Sequence, residues 1–238
     1  MITFDVTIPV LNEEKTLDRQ VKILHAFLKL HFPTPKQWRI VIADNGSTDD
    51  TQKIGAALAS QIAEVQLLRV PSKGVGLALK TSWAQSDADI VGYMDLDLAT
   101  DLTHFLETMK ALTEQNQDFV YTTRLHARSR VIGRTLKREV TSRIFNMMLK
   151  LYLGVRFSDG MCGFKFLWRK HVPMLQAGGA ISDGWFFSTE LLTVAEWRNL
   201  KLYELPVTWN DDSDSRVNIP GLAKQYMKAM KVLKTKKM

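Results

Sequence analysis

A mostly parallel α/β sheet with helices on both faces is the fold class that this 238-residue sequence predicts. Three observations lead there. Short β-rich apolar runs alternate with amphipathic stretches of helical period through the first half of the chain. The loops after those runs are rich in Asp, Asn, Gly and Lys, at the positions such a fold gathers beyond the carboxyl ends of its strands. Length and a 45% apolar content suffice for one full core with a modest extension.

Val6–Val10 is the first strand; the terminus before it lacks a basic start and Asp5 interrupts its apolar run, so it reads as strand rather than leader peptide. Glu13–Leu30 places Leu17, Val21, Leu24, Phe27 and Leu28 near helical spacing. Arg39–Ala43 reads as a buried strand, Thr51–Ala63 as a helix and Val65–Val70 as a third strand. Gly76–Gln85 is helical, and Ile90–Met94 is a fourth apolar strand ending directly at Asp95. Asp101–Glu114 is a further helix, with Phe119–Thr122 a strand behind it. The loops expected at the carboxyl edge are therefore 11–14, 44–49, 71–76 and 95–101.

The net charge of +7 is unevenly spread. Arg124–Lys150 holds eight basic residues against Glu139, and Arg216–Lys237 holds seven with no acid, so the rest of the chain carries −7. Basic segments on an acidic body point to anionic partners: nucleic acid, a phospholipid surface or phosphate-bearing substrates. Helix-turn-helix, zinc and aromatic RNA-binding signatures are absent, so nucleic acid is not expected. A single cysteine, Cys162, excludes an intrachain disulfide and fits a reducing compartment. The five histidines are scattered and no G-x-S-x-G or Cys/His signature occurs, so zinc ligation and acyl transfer are unsupported. No run approaches the ~20 apolar residues of a spanning helix.

Three loops carry chemistry. In Asp44-Asn45-Gly46-Ser47-Thr48-Asp49, the Asn-Gly turn tolerates positive φ, Thr48 or Asp49 can cap the next helix, and Asp44 can accept hydrogen bonds from a base or ribose. In Lys73-Gly74-Val75-Gly76, glycine lets the backbone approach a ligand, and a lysine beside a helix N-terminus favours phosphate. The first strand–helix turn reads Leu11-Asn12-Glu13-Glu14 without glycine, and GxxxxGK[ST] is absent, so neither a dinucleotide fingerprint nor a P-loop is present. Asp95-Leu96-Asp97 is the sharpest signal. Two carboxylates past a buried strand repel unless a cation sits between them, and Mg²⁺ or Mn²⁺ is the natural choice. Such an ion can bridge diphosphate oxygens and neutralise a departing nucleotide.

In order and spacing, Pro9-Val10-Leu11-Asn12-Glu13, Asp44–Asp49, Lys73–Gly76 and Asp95–Asp97 resemble the successive motifs of family 2 glycosyltransferases, which have the GT-A fold, over roughly the first 125 residues. The second half resembles a narrower group, the polyprenyl-phosphate sugar transferases of the dolichyl-phosphate mannose and glucose synthase type. Thr123-Arg124, Arg134-x-x-x-Arg138 with Arg143 and Asn146, Asp159–Lys165, Glu190-Leu191 and Ser215-Arg216 carry that likeness. Departures are Leu11 for a frequent aromatic, Asn45 for the second Asp of a pair, Met161-Cys162 for Gln, and Ala99 where a third metal ligand can occur. A Gln-x-x-Arg-Trp motif is missing, which disfavours a processive synthase.

The resemblance implies inverting transfer of a hexose from a GDP- or UDP-sugar to a polyprenyl phosphate in one displacement. Donor contacts are expected at Pro9, Leu11, Glu13, Asp44, Asn45, Lys73 and Leu96, metal ligation at Asp95 and Asp97, and phosphate binding at Arg124, Arg138, Arg143, Lys165 and Arg216. An ionised phosphate acceptor needs no strong base; a saccharide hydroxyl would, with Asp183 or Glu190 as candidate. Transfer to such a hydroxyl and a catalytically silent nucleotide-sugar binder are the alternatives. The expected organisation is one catalytic domain over 1–210, divided near residue 125 into donor and acceptor halves, with a basic extension over 211–238. Apolar residues interleave with Arg143 and Lys150 over 143–153, and with lysines over Tyr226–Leu233, so both segments are expected to dock on a bilayer surface, the alternative being a helix packed on the sheet with a solvated basic face. The expected location is cytoplasmic, peripheral at the inner face of the membrane.

Overall fold

The computed structural model describes residues 1–210 and 219–237, with side chains for 1–210 and 224–237. Arg216 lies outside the described residues. The first half runs β1 (Phe4–Val10), α1 (Leu17–His31), β2 (Trp38–Asp44), α2 (Thr51–Gln61), β3 (Val65–Arg69), α3 (Val75–Gln85), β4 (Ile90–Met94), α4 (His104–Thr113) and β5 (Phe119–Thr123). The second half runs β6 (Arg130–Ile132), α5 (Leu136–Leu153), β7 (Phe164–Trp168), α6 (Val172–Ala177), α7 (Phe187–Trp197), β8 (Leu202–Pro206), β9 (Thr208–Asn210) and α8 (Ile219–Lys234).

The main sheet has seven strands in the order β3-β2-β1-β4-β7-β5-β8. All neighbours are parallel except β7, which runs antiparallel between β4 and β5. Strands alternate their side chains between two apolar layers, as the two-residue period requires. On β4, Ile90 and Met94 join one layer with Leu17, Val21 and Leu24 of α1 and Phe105 of α4. Val91 and Tyr93 face Leu79, Trp83 and Phe187 on the other side. Gly92, between them, has no room for a side chain: a Cβ there would lie 2.0 Å from the Phe166 ring on β7.

Two helices begin later than the spacing predicts, for local reasons. Residues 11–16 form a turn with Asn12 at φ 57°, where the Glu13 carbonyl accepts from the Thr16 and Leu17 amides and Glu13 Oε2 from the Thr16 hydroxyl at 2.6 Å. Asp101 folds its carboxylate onto the amide and hydroxyl of Thr103, so α4 starts at His104. The antiparallel β7 has no counterpart among the expected strands; its first residues carry the Phe-Lys part of the Asp159–Lys165 motif.

One membrane expectation is corrected. The apolar side of α8 does not face outward: Tyr226, Met230 and Leu233 are buried in the layer that holds α5 and α7. Its exposed side keeps the lysines. Among the described residues, no helix is long and apolar enough to cross a membrane.

Candidate active site

The carboxyl ends of β1 and β2 are laced together by short polar side chains. Asn12 accepts from the Thr48 amide at 2.9 Å, and its own amide donates to Ser47 Oγ at 3.0 Å. Asn45 is fully committed, with Nδ2 donating to the Val10 carbonyl at 2.9 Å and Oδ1 accepting from the Gly74 amide at 3.2 Å. Its side chain therefore ties three loops together. Asp44 is different. Its Oδ1 accepts from the Ser47 amide at 2.9 Å, but the buried Oδ2 has no hydrogen bond, with Arg69 3.8 Å away. A buried carboxylate oxygen left without a donor is costly unless something else supplies one.

The Lys73–Gly76 loop differs from its expectation. Lys73 is exposed, but the glycines admit the chain's own backbone: a Cβ on Gly74 would lie 2.5 Å from the Asp183 carbonyl, and one on Gly76 2.2 Å from that of Ser182. The Leu77 amide in the first turn of α3 donates to the Asp183 carbonyl at 3.0 Å. The segment 182–184 thus covers the helix start expected to meet phosphate.

Asp95 and Asp97 leave the tip of β4 as expected, with Leu96 between them packed into the core. Asp97 is exposed and accepts from the Ala99 amide at 3.0 Å. Asp95 is half-buried, and its Oδ1 has no hydrogen-bond partner among the described residues. Burial, and then the charge of Asp97, push its carboxyl up to about 7. Gly163 abuts it: a Cβ there would lie 1.8 Å from Asp95 Oδ2, and the Asp95 amide donates to the Gly163 carbonyl at 3.1 Å.

Gly163 ends a loop whose start, Asp159, fixes the first arginine. Arg124 reaches Asp159 with Nε at 2.8 Å and a terminal nitrogen at 3.1 Å, and its guanidinium stacks 5.0 Å over Trp209. Burial raises the Asp159 carboxyl, but Arg124 outweighs it and holds the group at about 2. Lys165 is corrected as a phosphate contact. It is fully buried, and its ammonium donates to the Cys162 carbonyl at 2.6 Å, to Ser188 Oγ at 2.7 Å and to the Gly160 carbonyl at 3.2 Å. Asn146 of α5 accepts from the Gly160 amide at 2.8 Å.

Arg124 also lines an open cavity of about 360 Å³ between β6 and the start of α5, together with His126, Arg134, Leu136, Glu139 and Arg143. Three guanidinium groups face one carboxylate there, and Glu139 pairs with both Arg134 and Arg143 at 3.2 and 2.6 Å. Arg138, expected in this role, is not among the lining residues; Arg134, one turn earlier, is.

A family model described as "Glycosyl transferase family 2" matches residues 5–173, which span every carboxyl-edge loop just described. The chain belongs to family 2 of the glycosyltransferases. It is 28% identical over 219 residues to Glycosyltransferase AglD of Haloferax volcanii, covering 92% of this chain and 35% of that protein. It is 27% identical to Dolichyl-phosphate beta-glucosyltransferase ALG5C of Trichomonas vaginalis, over 94% of this chain and 69% of the relative. The chain thus spans about a third of the first relative and just over two thirds of the second. Glucosyl-3-phosphoglycerate synthase of Mycobacterium tuberculosis, solved with UDP, shares the fold at a TM-score of 0.69 and 21% identity, covering 98% of this chain and 80% of that one.

In the second half of this family 2 chain, Asp183 and Glu190 occupy unlike settings. Asp183 is exposed and pairs with Lys80 at 2.7 Å. Glu190 is buried, which raises its carboxyl, and it accepts from the Ile181 and Ser182 amides at 2.9 and 2.8 Å and from the Ser182 hydroxyl at 2.5 Å. It is a brace for segment 181–183. Residue reading gives no role to Asp159, Ser188 or Gly163, whose partners become visible only once β7 lies beside β4.

Proposed function

We propose that this family 2 glycosyltransferase moves a hexose, with inversion, from a nucleotide-sugar to the phosphate of a polyprenyl phosphate at a membrane surface. One observation carries the reading. The Asp95 carboxylate and the arginine-lined cavity hang from opposite ends of a single five-residue loop, Gly163 touching the first and Asp159 fixing the second. The names of the Trichomonas vaginalis relatives, dolichyl-phosphate beta-glucosyltransferases, favour glucose and a lipid-phosphate acceptor. A solved structural neighbour that holds Mn²⁺ and UDP-glucose favours a UDP-sugar.

The residues fit a divalent ion. Asp95 Oδ1 is buried without a donor, and the two carboxylates raise rather than relieve each other's cost. Asp95 and Asp97 would hold a Mg²⁺ or Mn²⁺; among the described residues no cluster of three or more His, Cys, Asp or Glu forms a fuller cage. When bound, the ion neutralises charge on the leaving nucleoside diphosphate. Asp44, whose Oδ2 accepts no hydrogen bond and has Arg69 3.8 Å away, can accept from the nucleoside. The arginines hold the acceptor phosphate, whose ionised oxygen forms the new bond to the anomeric carbon as the bond to the diphosphate breaks. No side chain need remove a proton. With a lipid-linked acceptor the protein works peripherally on a membrane, at its cytoplasmic face.

The test is turnover of a nucleotide-sugar panel with Mn²⁺ or Mg²⁺ and a short polyprenyl phosphate, for wild type and Asp97→Ala. Metal-dependent transfer to the lipid phosphate, lost in the variant, is the expected result. Donor binding with transfer only to a saccharide hydroxyl would replace the acceptor reading.

A further inference from the structure

Helix α5 is apolar on two sides. Asn146, Leu149 and Leu153 turn into the protein. Leu136, Val140, Ile144, Met147 and Leu151, spaced four, four, three and four residues apart, fall within about 80° of one another at ~100° per residue. They are 49% to 84% exposed. The stripe is about 22 Å long at ~1.5 Å per residue. Contiguous exposed apolar surface of this kind marks an interaction site.

Exposed cations flank it on both sides, Lys137 on one and Arg143 and Lys150 on the other. The one acid of the helix, Glu139, is held by Arg134 and Arg143. Helix α8 lies alongside, with Tyr226 5.4 Å from Phe145 and Lys234 4.1 Å over Tyr152. Because its own apolar side is buried, α8 leaves lysines, including Lys228 and Lys231, exposed. A second copy pressed on such a face would meet like charge; an anionic bilayer meets opposite charge along the whole stripe. The stripe is also continuous with the arginine-lined cavity, because Leu136 belongs to both.

We infer that the outward face of α5, from Leu136 to Leu151, docks the protein on an anionic phospholipid bilayer. Seated this way, a lipid phosphate has its head in the cavity and its chain led along the stripe into the membrane. The docking surface stands on the exposure and charge of α5; its link to the acceptor rests on the proposed function.

The experiment is co-sedimentation with vesicles of phosphatidylcholine alone or with about one third phosphatidylglycerol, without donor or acceptor. Wild type is expected to bind the anionic vesicles and to release with salt. Ile144→Gln/Met147→Gln/Leu151→Gln, which leaves the cavity lining intact, should bind at least tenfold more weakly with an unchanged melting temperature. Its transfer to a short, water-soluble polyprenyl phosphate should match wild type, and its transfer to a long acceptor in vesicles should fall. Equal vesicle binding by wild type and variant overturns the inference, as does absence of wild-type binding. Concentration-dependent self-association that the variant abolishes would assign the face to a second copy instead. Vesicle binding without transfer to any polyprenyl phosphate would leave the docking surface standing and remove the acceptor reading.

Discussion

Replacing Gly163 with alanine should separate activity from stability. The added Cβ would lie 1.8 Å from Asp95 Oδ2, 2.4 Å from its Cγ and 2.7 Å from Oδ1, where side-chain contacts do not fall below 3.0 Å. The carboxylate must therefore retreat by about 1.2 Å, the difference between 3.0 and 1.8 Å. Asp95 is short, half-buried and at the rim of the sheet, so it can turn aside, and overpacking costs about 1–3 kcal/mol. That amounts to a few degrees of melting temperature for a chain of this size. The chemistry is less tolerant: a misplacement of ~1 Å costs on the order of 10²-fold in rate. The assay pairs kcat/KM for donor turnover with calorimetric Mn²⁺ binding and thermal melting. Gly184→Ala, where a Cβ meets nothing within 4 Å, is the neutral control. Transfer by Gly163→Ala within threefold of wild type would refute the placement of Asp95 at the reacting centre. So would a loss of activity that merely tracks a loss of folded protein.

Metal and pH should be linked through Asp95. Its folded carboxyl sits at about 7, above the ordinary 3.8, so the folded chain binds the proton more tightly and metal-free stability falls as pH rises between those values. Mn²⁺ should therefore raise the melting temperature more at pH 7.5 than at pH 5; an equal or larger gain at pH 5 would contradict this. Arg124→Met strands the buried Asp159 carboxylate and should cost about 3–5 kcal/mol in urea unfolding. Adding Asp159→Asn should recover much of that stability without restoring acceptor use. Because Asp159 is held at about 2, the wild-type pair also loses stability as pH falls from about 4 towards 2, and the double variant should lack that limb. Glu190→Gln replaces one of the two oxygens that accept from three donors and should slow turnover roughly tenfold by loosening segment 181–183, while the pH–rate profile keeps its shape; a lost acid limb would make Glu190 a proton acceptor instead.

The donor half was legible because its signals are local. A strand, a polar tip and a helix repeat in register with the chain, so Asp44, Asp95 and Asp97 could be placed at strand ends from periodicity alone. Loop glycines misled for a physical reason: a glycine marks close backbone approach without saying whose backbone approaches, and at Gly74 and Gly76 it is that of Ser182 and Asp183. Lys165 misled similarly. A lysine in a motif reads as an exposed cation, whereas β7 enters the sheet between β4 and β5 and turns this one inward against Tyr93. The amphipathic pattern could not separate α5 from α8, because both have apolar and basic sides; which side meets the core depends on partners far away in sequence.

The buried Lys165 supplies a reason for the proposed donor and acceptor ends to act as a unit. Its ammonium is held by neutral oxygens, from Gly160, Cys162, Ser188 and Tyr93, and burial lowers it to about 8. Near it are two carboxylates, Asp95 and Asp159, and its charge lowers the pKa of both. The loop between them therefore folds around a cation that compensates each. Any shift of Asp159 with Arg124 on binding of the proposed acceptor phosphate would change the field at Asp95 across only the width of that loop. A rigid joint follows: Asn146 binds the loop to α5, Thr189 binds it to α7 directly and Ser188 through Lys165, and Gly163 presses it on Asp95. Acceptor occupancy at the arginine cavity should thus be felt at the carboxylates without movement of the sheet, since the contacts joining them are short, buried and already made.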